Sequence, residues 1–245
     1  MQISINVVLA FMLIASFLVA MMLHECGHAL AASLLGDPTP RDEGRQSLRL
    51  SFHIDPVGTL LCVILAFFPM GAFPIGLGWG KPVKPDPWKM RVGANTGVLI
   101  VACSGLFTSL LIGIAAALLT HFLVLATGIA AANFLIQRLL QLLTVFAMVN
   151  IGLAIFNILP IYPLDGYQIL YTLLPSKQAV TFARSAPYGP FIILAIFFLL
   201  PFLAQISGLP IPSLNSLIAS WSLSLVDLLV GPIPAVINVV GLYQL

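Results

Sequence analysis

The chain has 245 residues, of which 60% are hydrophobic and only 7% are charged. Soluble globular domains carry about 25% charged residues, so this composition excludes an ordinary soluble domain and indicates a polytopic membrane protein. The net charge of +2, without a basic cluster interleaved with aromatic residues, excludes a nucleic-acid-binding protein, and three irregularly spaced cysteines give no disulfide framework.

Six apolar segments are candidates for membrane-spanning helices, each of which needs about 20 residues. They cover residues 5–35, 57–77, 96–125, 134–159, 190–206 and 214–240. The polar loops between them cover residues 36–55, 78–93 and 166–187, and none is long enough to fold alone. We therefore predict an all-α polytopic membrane protein made of a single embedded domain over residues 1–245.

The first apolar segment contains the stretch MMLHECGHALAA, residues 21–32. A charged side chain inside a bilayer costs about 2.5–3.5 kcal/mol on insertion scales, so three adjacent polar groups without a role are not expected there. His24 and His28 are four residues apart and share a helix face, and the H-E-x-x-H pattern is typical of zinc hydrolases, with Glu25 as the general base. Two imidazoles leave room for a third protein ligand and a water. Cys26 points about 200° from His24 and is predicted to pack as a small apolar residue.

The loop charges orient the chain. Nine of the ten lysines and arginines lie in the three polar loops, which predicts that all three loops are cytoplasmic. The loops before and after residues 57–77 are then on the same side. This segment therefore enters the membrane and leaves it again without crossing. Pro69, Gly71 and Pro74 interrupt a helix there and favour a re-entrant hairpin with five crossings elsewhere. Six ordinary spans with one basic loop outside is the alternative.

A second unusual stretch, NIGLAIFNILPIYPLDGYQIL at residues 150–170, carries Asp165 after a helix broken by two prolines. Helix rise places His24 and His28 about 18 and 12 Å below the end of the first segment, within the hydrocarbon. Asp165 approaches from the same side, and Asp227 is the only other acid at comparable depth. A carboxylate would complete a two-histidine zinc site. The alternative is that Asp165 only caps a helix over residues 166–174.

These motifs together resemble the site-2 protease family of intramembrane zinc proteases. HECGH is followed far downstream by FNILPIYPLDG, while HIDPVGT and GWGKPVKPDP resemble loops of the compact prokaryotic branch, which lacks a PDZ domain. The resemblance extends from about residue 20 to residue 175. It implies that His24, His28 and Asp165 bind one Zn²⁺ ion, that Glu25 is the catalytic acid and base, and that a three-helix catalytic core faces the cytosol.

The chain departs from the family pattern in one helix. The family often has A-G-P-x-x-N, whereas this chain has CSGLFTS, with Leu106 for the proline and Ser109 for the asparagine. No zinc ligand is lost, but the helix geometry and a polar contact near the site are expected to differ.

Three further positions are secondary candidates. Asn157 is predicted to bind substrate backbone or a developing oxyanion, with helix packing as the alternative. The loop GWGKPVKPDP either pairs with an extended substrate by strand addition or is a plain connector. His53 is predicted to have a solvated or turn role, because a fourth protein ligand would displace the catalytic water.

The predicted function is intramembrane hydrolysis of peptide bonds in single-pass membrane proteins, by a multi-pass protein of the cell membrane whose site opens to the cytoplasm. The catalytic core is expected at about residues 5–175 and the C-terminal helices at about 188–242, in contact with membrane lipid. A membrane metal transporter or metal-binding protein with the same ligands is the main alternative, and a catalytically idle relative is another. The sequence leaves a homo-oligomer open and gives no sign of a nucleic-acid partner.

Overall fold

The computed structural model describes residues 7–68, 75–127, 134–208 and 213–231, and the regular secondary structure in these ranges is helical. The α-helices, in chain order, are α1 (Val7–Leu34), α2 (Thr39–Asp42), α3 (Pro56–Phe67), α4 (Ala94–Thr127), α5 (Phe134–Asn157), α6 (Asp165–Leu173), α7 (Ser176–Ala183), α8 (Gly189–Leu194), α9 (Leu200–Ser207) and α10 (Leu214–Val230).

Within the described ranges, four helical runs are long and apolar enough to cross a membrane, namely Val7–Leu34, Ala94–Thr127, Phe134–Asn157 and Ser176–Ser207. The predicted all-α polytopic membrane protein is confirmed. The last apolar segment contributes the shorter helix α10, and the remainder of that predicted span, to residue 240, lies outside the described residues. The number of crossings therefore stays a prediction.

Helices α1, α4 and α5 pack against one another at the centre of the molecule. The helix α4 carries a buried small residue at every fourth position, at Gly105, Ser109, Gly113 and Ala117. Lipid gives little hydrophobic drive for helix association, so membrane helices pack through small residues that let their backbones approach closely. Gly105 faces α1 and Gly113 faces α5. Both neighbouring helices, α1 and α5, therefore pack against this row of small residues on α4.

The predicted re-entrant segment has its two ends side by side. Gly80 forms an antiparallel bridge with Ile54, and the backbone N–H of Lys81 donates to the carbonyl of His53 at 2.7 Å. The chain thus leaves this point through α3 and returns to it along residues 75–80. This geometry agrees with the predicted hairpin.

The outgoing arm of the hairpin is α3. Its N-terminus is capped by Asp55, whose carboxylate accepts the backbone N–H groups of Val57 and Gly58 at 3.0 and 2.9 Å. The helix has 12 residues, about 18 Å, which is too short to cross a hydrocarbon core of about 30 Å. Residues 69–74, with the predicted helix breakers Pro69, Gly71 and Pro74, lie outside the described residues.

The third polar loop, in which the sequence predicted one helix over residues 166–174, contains two short helices. The helix α6 begins at Asp165 itself, one residue before the predicted start, and α7 follows directly after Pro175. Both helices have a polar and an apolar face. The helix α7 is also the first part of the long helical run Ser176–Ser207. The apolar faces are covered where Tyr167 stacks on Phe182, with ring centroids 4.7 Å apart.

A π-helical turn, Ala195–Leu199, interrupts the run between α8 and α9. Pro201 has no backbone N–H, so the carbonyl of Phe197 lacks its usual donor four residues later. The side chain of Asn215 on α10 donates to this carbonyl at 2.8 Å and is itself buried. An unpaired carbonyl is costly in a bilayer, and this hydrogen bond joins α10 to the preceding membrane helix.

Candidate metal centre

The structure brings the three predicted ligands together. His24 and His28 lie one turn apart on α1, with their Nε2 atoms 3.2 Å from each other. Asp165, at the start of α6, places Oδ2 3.1 Å from Nε2 of His24 and Oδ1 3.1 Å from Nε2 of His28. All three side chains are largely buried. One carboxylate and two imidazoles thus converge on one point, although Asp165 is far away in the sequence.

The donor atoms fit one face of a tetrahedral metal site. Bonds of about 2.0–2.1 Å from zinc to nitrogen or oxygen place neighbouring tetrahedral donors roughly 3.3 Å apart. The two Nε2 atoms are 3.2 Å apart, and each lies 3.1 Å from a different oxygen of the Asp165 carboxylate, so the two imidazoles and the carboxylate form a triangle of about this size. Two histidines and a carboxylate are also the ligand set of many catalytic zinc sites, in which water takes the fourth position. The residues present therefore fit a bound zinc ion.

Glu25 lies beside this triangle. A ligand atom of its carboxylate is within 4.8 Å of those of His24 and His28, and the residue is only 6% exposed. Its Oε2 atom is buried and has no hydrogen-bond partner among the described residues. Asp165, in direct contact with both imidazoles, is the better third ligand, and Glu25 is left as a carboxylate next to the metal position.

Residues of α4 contact the Nδ1 atom of both imidazoles, while the Nε2 atoms face the triangle. Nδ1 of His28 donates to the carbonyl of Val101 at 2.7 Å, so its Nε2 carries the lone pair that faces the triangle. Nδ1 of His24 is 2.9 Å from the hydroxyl of Ser109, which can accept its proton. The sequence marked Ser109 as a departure from the family motif without assigning this contact. The carbonyl of Val101 leaves no sequence signal at all.

Gly105 allows the imidazoles to lie against α4. A Cβ atom at this position would overlap the ring of His28 and would lie 2.8 Å from Nε2 of His24. Any larger residue would require the two rings, or α1 itself, to shift. The close crossing of α1 and α4 is therefore part of the site.

Gly166 fixes the position of Asp165 in a similar way. Two prolines follow the end of α5, and the chain turns back so that the start of α6 lies against the two residues just after α5. A Cβ atom on Gly166 would overlap the carbonyl of Ile158 and would lie 2.6 Å from the carbonyl oxygen of Leu159. The glycine of the L-D-G sequence thus lets the carboxylate before it reach the histidines.

A cavity of about 300 Å³ opens beside the triangle. It is lined by His24, Glu25 and His28 from α1, by the start of α6, and by residues of the returning segment between Gly78 and Pro87. Asn157 also lines it and is 6% exposed, with its amide nitrogen donating to the carbonyl of Leu153 at 2.9 Å. An amide nitrogen has two hydrogens, so one remains that can point to the cavity.

Arg45 anchors one end of the cavity wall. It lies in the first polar loop but is only 4% exposed. Its guanidinium donates to the carbonyls of Phe52, Lys81 and Pro82 at 2.6, 2.9 and 3.2 Å. Pro82 lines the cavity, so this buried arginine ties the wall to the first loop.

Asp37 anchors the other end. Its buried carboxylate accepts the backbone N–H of Thr39 at 3.0 Å and that of Asp86 at 2.6 Å. Burial alone would raise the pKa of Asp37, but these hydrogen bonds outweigh it and hold the pKa below its usual value. The segment between residues 82 and 86 is therefore fixed at both ends by charged residues of the first loop.

Cys26 and His53 lie on the other side of α1 from the ligands. The thiol is 3.5 Å from the carbonyl of Arg45 and 3.9 Å from Nε2 of His53, so Cys26 faces away from the triangle as predicted. His53 is fully buried, so of the predicted solvated or turn role the solvated part is wrong. The residue follows the 3₁₀ turn Leu50–Phe52 and its Nε2 is 2.8 Å from the carbonyl of Ser47, which agrees with a turn role. Burial and the nearby Arg45 both lower the pKa of His53. This histidine supports the loop, and the ligand triangle forms without it.

The chain is similar to a known protein family and to a known protein. Residues 125–200, which include Asn157 and Asp165, match Peptidase family M50. A protein of Bacillus subtilis (strain 168) named "Putative zinc metalloprotease YwhC" is 30% identical over 192 residues, which cover 77% of this chain and 80% of that protein. No solved structure matches the chain.

Proposed function

The chain belongs to peptidase family M50, the site-2 protease family that its sequence resembles, and on this premise we propose that this multi-pass membrane metalloprotease cuts peptide bonds within or near the transmembrane segments of other membrane proteins. The observation that carries the proposal is the triangle of His24, His28 and Asp165 with Glu25 beside it, in a cavity among membrane-spanning helices.

In this proposal the three residues of the triangle hold one zinc ion. When bound there, zinc supplies a Lewis acid for the scissile carbonyl and lowers the pKa of a bound water to about 7. Val101 and Ser109 orient the two imidazoles, and Asp165 balances charge at the ligand position. Glu25 accepts the proton of the attacking water at its carboxylate and returns it to the leaving amine nitrogen.

Asn157 is proposed to position the substrate. It lines the cavity on the side of α5, and its second amide hydrogen can donate to a substrate carbonyl or to the oxyanion that develops from it. The opposite wall is formed by residues 82–86, which Arg45 holds at one end and Asp37 at the other. An extended substrate can pair with the backbone of this wall. The substrate would then lie between this wall and α5.

The depth of the site supports membrane-embedded cleavage. His24 lies about 15 Å along α1 from its end at Leu34, so the reacting peptide bond has to enter the bilayer region or be drawn from it. The basic loops support an opening toward the cytoplasm, through which water would reach the cavity. A helical substrate hides its carbonyls in backbone hydrogen bonds and must unwind locally, so single-pass proteins with helix-breaking residues are the expected substrates.

The test uses the purified protein in lipid vesicles with a single-pass test substrate. We expect cleavage by the wild type, loss of cleavage after zinc chelation, and recovery when zinc is added. The Glu25→Gln variant should keep its zinc, measured by elemental analysis, but lose cleavage by at least about a hundredfold. Asp42→Asn, at an exposed acid of the first loop, is the matched control and should cut normally.

Two outcomes would reject the proposal. Cleavage that survives Glu25→Gln would reject the assigned mechanism. Zinc flux across the vesicle membrane, without cleavage of any substrate, would favour a transporter that uses the same ligands.

A further inference from the structure

A second cavity, of about 400 Å³, lies next to the metal-centre cavity. Pro87, Val98 and Gln168 line both cavities, so the two share a boundary. The second cavity lies between the start of α4, the 3₁₀ turn Pro87–Lys89, α6 and α7. Its volume is within the range of 300–1,000 Å³ that is typical of ligand-binding pockets.

The lining of this second cavity is uncharged among the residues that the structure describes. Its apolar surface includes accessible side chains, since Trp88 is 89%, Val180 60% and Tyr171 37% exposed. Polar groups such as Asn95 and Ser176 lie among them. A charged side chain would find no opposite charge in this lining, whereas an aromatic or aliphatic side chain would bury apolar surface against it.

The helix α6 runs from the first cavity to the second, so its length gives the distance between them. Asp165 begins this helix at the ligand triangle, Gln168 stands at the boundary one turn later, and Thr172 lines the second cavity one further turn along. Seven residues of helix from Asp165 to Thr172 cover about 10 Å. An extended peptide covers about 3.3 Å per residue, so the same distance corresponds to three substrate residues.

On the premise that the chain is the endopeptidase proposed above, we propose that the second cavity is a substrate subsite. Most of its lining belongs to the second and third polar loops, whose basic residues predict a cytoplasmic side. It therefore takes an aromatic or aliphatic side chain that lies about three residues from the scissile bond, on the cytoplasmic flank of the cut. The subsite adds a sequence requirement that the ligand triangle, which contacts only the reacting peptide bond, does not impose.

The experiment couples substrate variants to enzyme variants. In a single-pass substrate whose cut has been mapped by mass spectrometry, each of five positions on both flanks is replaced in turn by Phe, Leu, Ala or Asp, and kcat/KM is measured. The wild type should prefer Phe or Leu to Ala by about tenfold at the third cytoplasmic-side position, and Asp should be the worst residue there. Positions on the other flank should show no such preference.

Thr172→Trp fills the second cavity and should reduce the Phe-to-Ala ratio at the third position to near one. Thr181→Trp is the matched control. Both threonines donate their hydroxyl to the carbonyl four residues earlier on a short helix, but Thr181 lines neither cavity and is exposed. This variant should keep the tenfold ratio. The ratio compares two substrates with the same enzyme sample, so it does not depend on the folded fraction.

A ratio that stays near tenfold in Thr172→Trp overturns the subsite, as does a wild type that has no preference at the third position. A wild type that cuts none of the substrates, or cuts them equally well with Glu25→Gln, overturns the proposed function and the subsite together. The two failures are distinguishable. A failure of the proposed function appears as absent cleavage, or as cleavage that survives Glu25→Gln, before any Phe-to-Ala ratio is calculated.

Discussion

The hydroxyl oxygen of Ser109 lies 2.9 Å from Nδ1 of His24, and both residues are buried at the crossing of α1 and α4. Ser109 stands where the family motif often has asparagine. Ser109 therefore contacts the imidazole of His24 directly, and the other nitrogen of that ring, Nε2, faces the metal position. Partners of this kind fix the orientation and tautomer of a metal-binding histidine.

We expect Ser109→Ala to weaken zinc binding by about 10- to 100-fold, because the imidazole of His24 loses its partner. Titration with a competing chelator measures the affinity. Ser109→Asn, which restores the residue of the family motif, should bind zinc more tightly than Ser109→Ala. Thr120→Ala, which removes a buried hydroxyl bonded only to its own helix near the far end of α4, is the control and should leave the affinity unchanged. Equal affinities in all four proteins would contradict a positioning role for Ser109.

Gly105→Ala should remove most of the bound zinc, because the added methyl group would occupy the space of the His28 ring. Zinc per protein, measured by elemental analysis on the monodisperse fraction, is the readout. Gly152→Ala on α5 is the control, since the nearest atom to its new Cβ, the hydroxyl oxygen of Ser222, would be 3.3 Å away. Full zinc content in Gly105→Ala would show that α1 can move away from α4 without loss of the site.

Arg45→Met should loosen the cavity wall. The change leaves three carbonyls without their donor, and each unpaired buried group costs about 1–3 kcal/mol. We expect faster proteolysis within residues 78–87 and a rise in KM that exceeds the fall in kcat. Arg45→Lys should be intermediate, because an ammonium cannot reproduce the planar fork of a guanidinium. Arg49→Met, at an exposed arginine of the same loop, should match the wild type.

The sequence predicted the ligand triangle because its members leave strong local signals. His24 and His28 share a helix face by spacing alone, and Asp165 is one of only two acids available at the right depth. The groups that orient them leave weak signals or none. Val101 acts through a backbone carbonyl, and the closeness that requires Gly105 exists only after α1 and α4 cross.

The sequence also misjudged some loop residues, for a physical reason. The position of Arg45 and Asp37 in a polar loop gives no sign that both are buried. Their burial depends on carbonyls and N–H groups of residues 81–86, which a distant part of the chain supplies. The short amphipathic helix α7 was missed because it is too short to give a clear periodicity.

The bridge between Ile54 and Gly80 requires residues just before and just after the hairpin to be on one side of the membrane. We expect single cysteines at Arg49 and Lys84, both exposed, to react with an impermeant maleimide from the same side. The background is the chain with its three native cysteines changed to alanine. Ala126→Cys, exposed near the far end of the 34-residue α4, should react from the opposite side and is the control. Labelling of the first two positions from opposite sides would mean that the segment between them crosses the bilayer, and would contradict the hairpin.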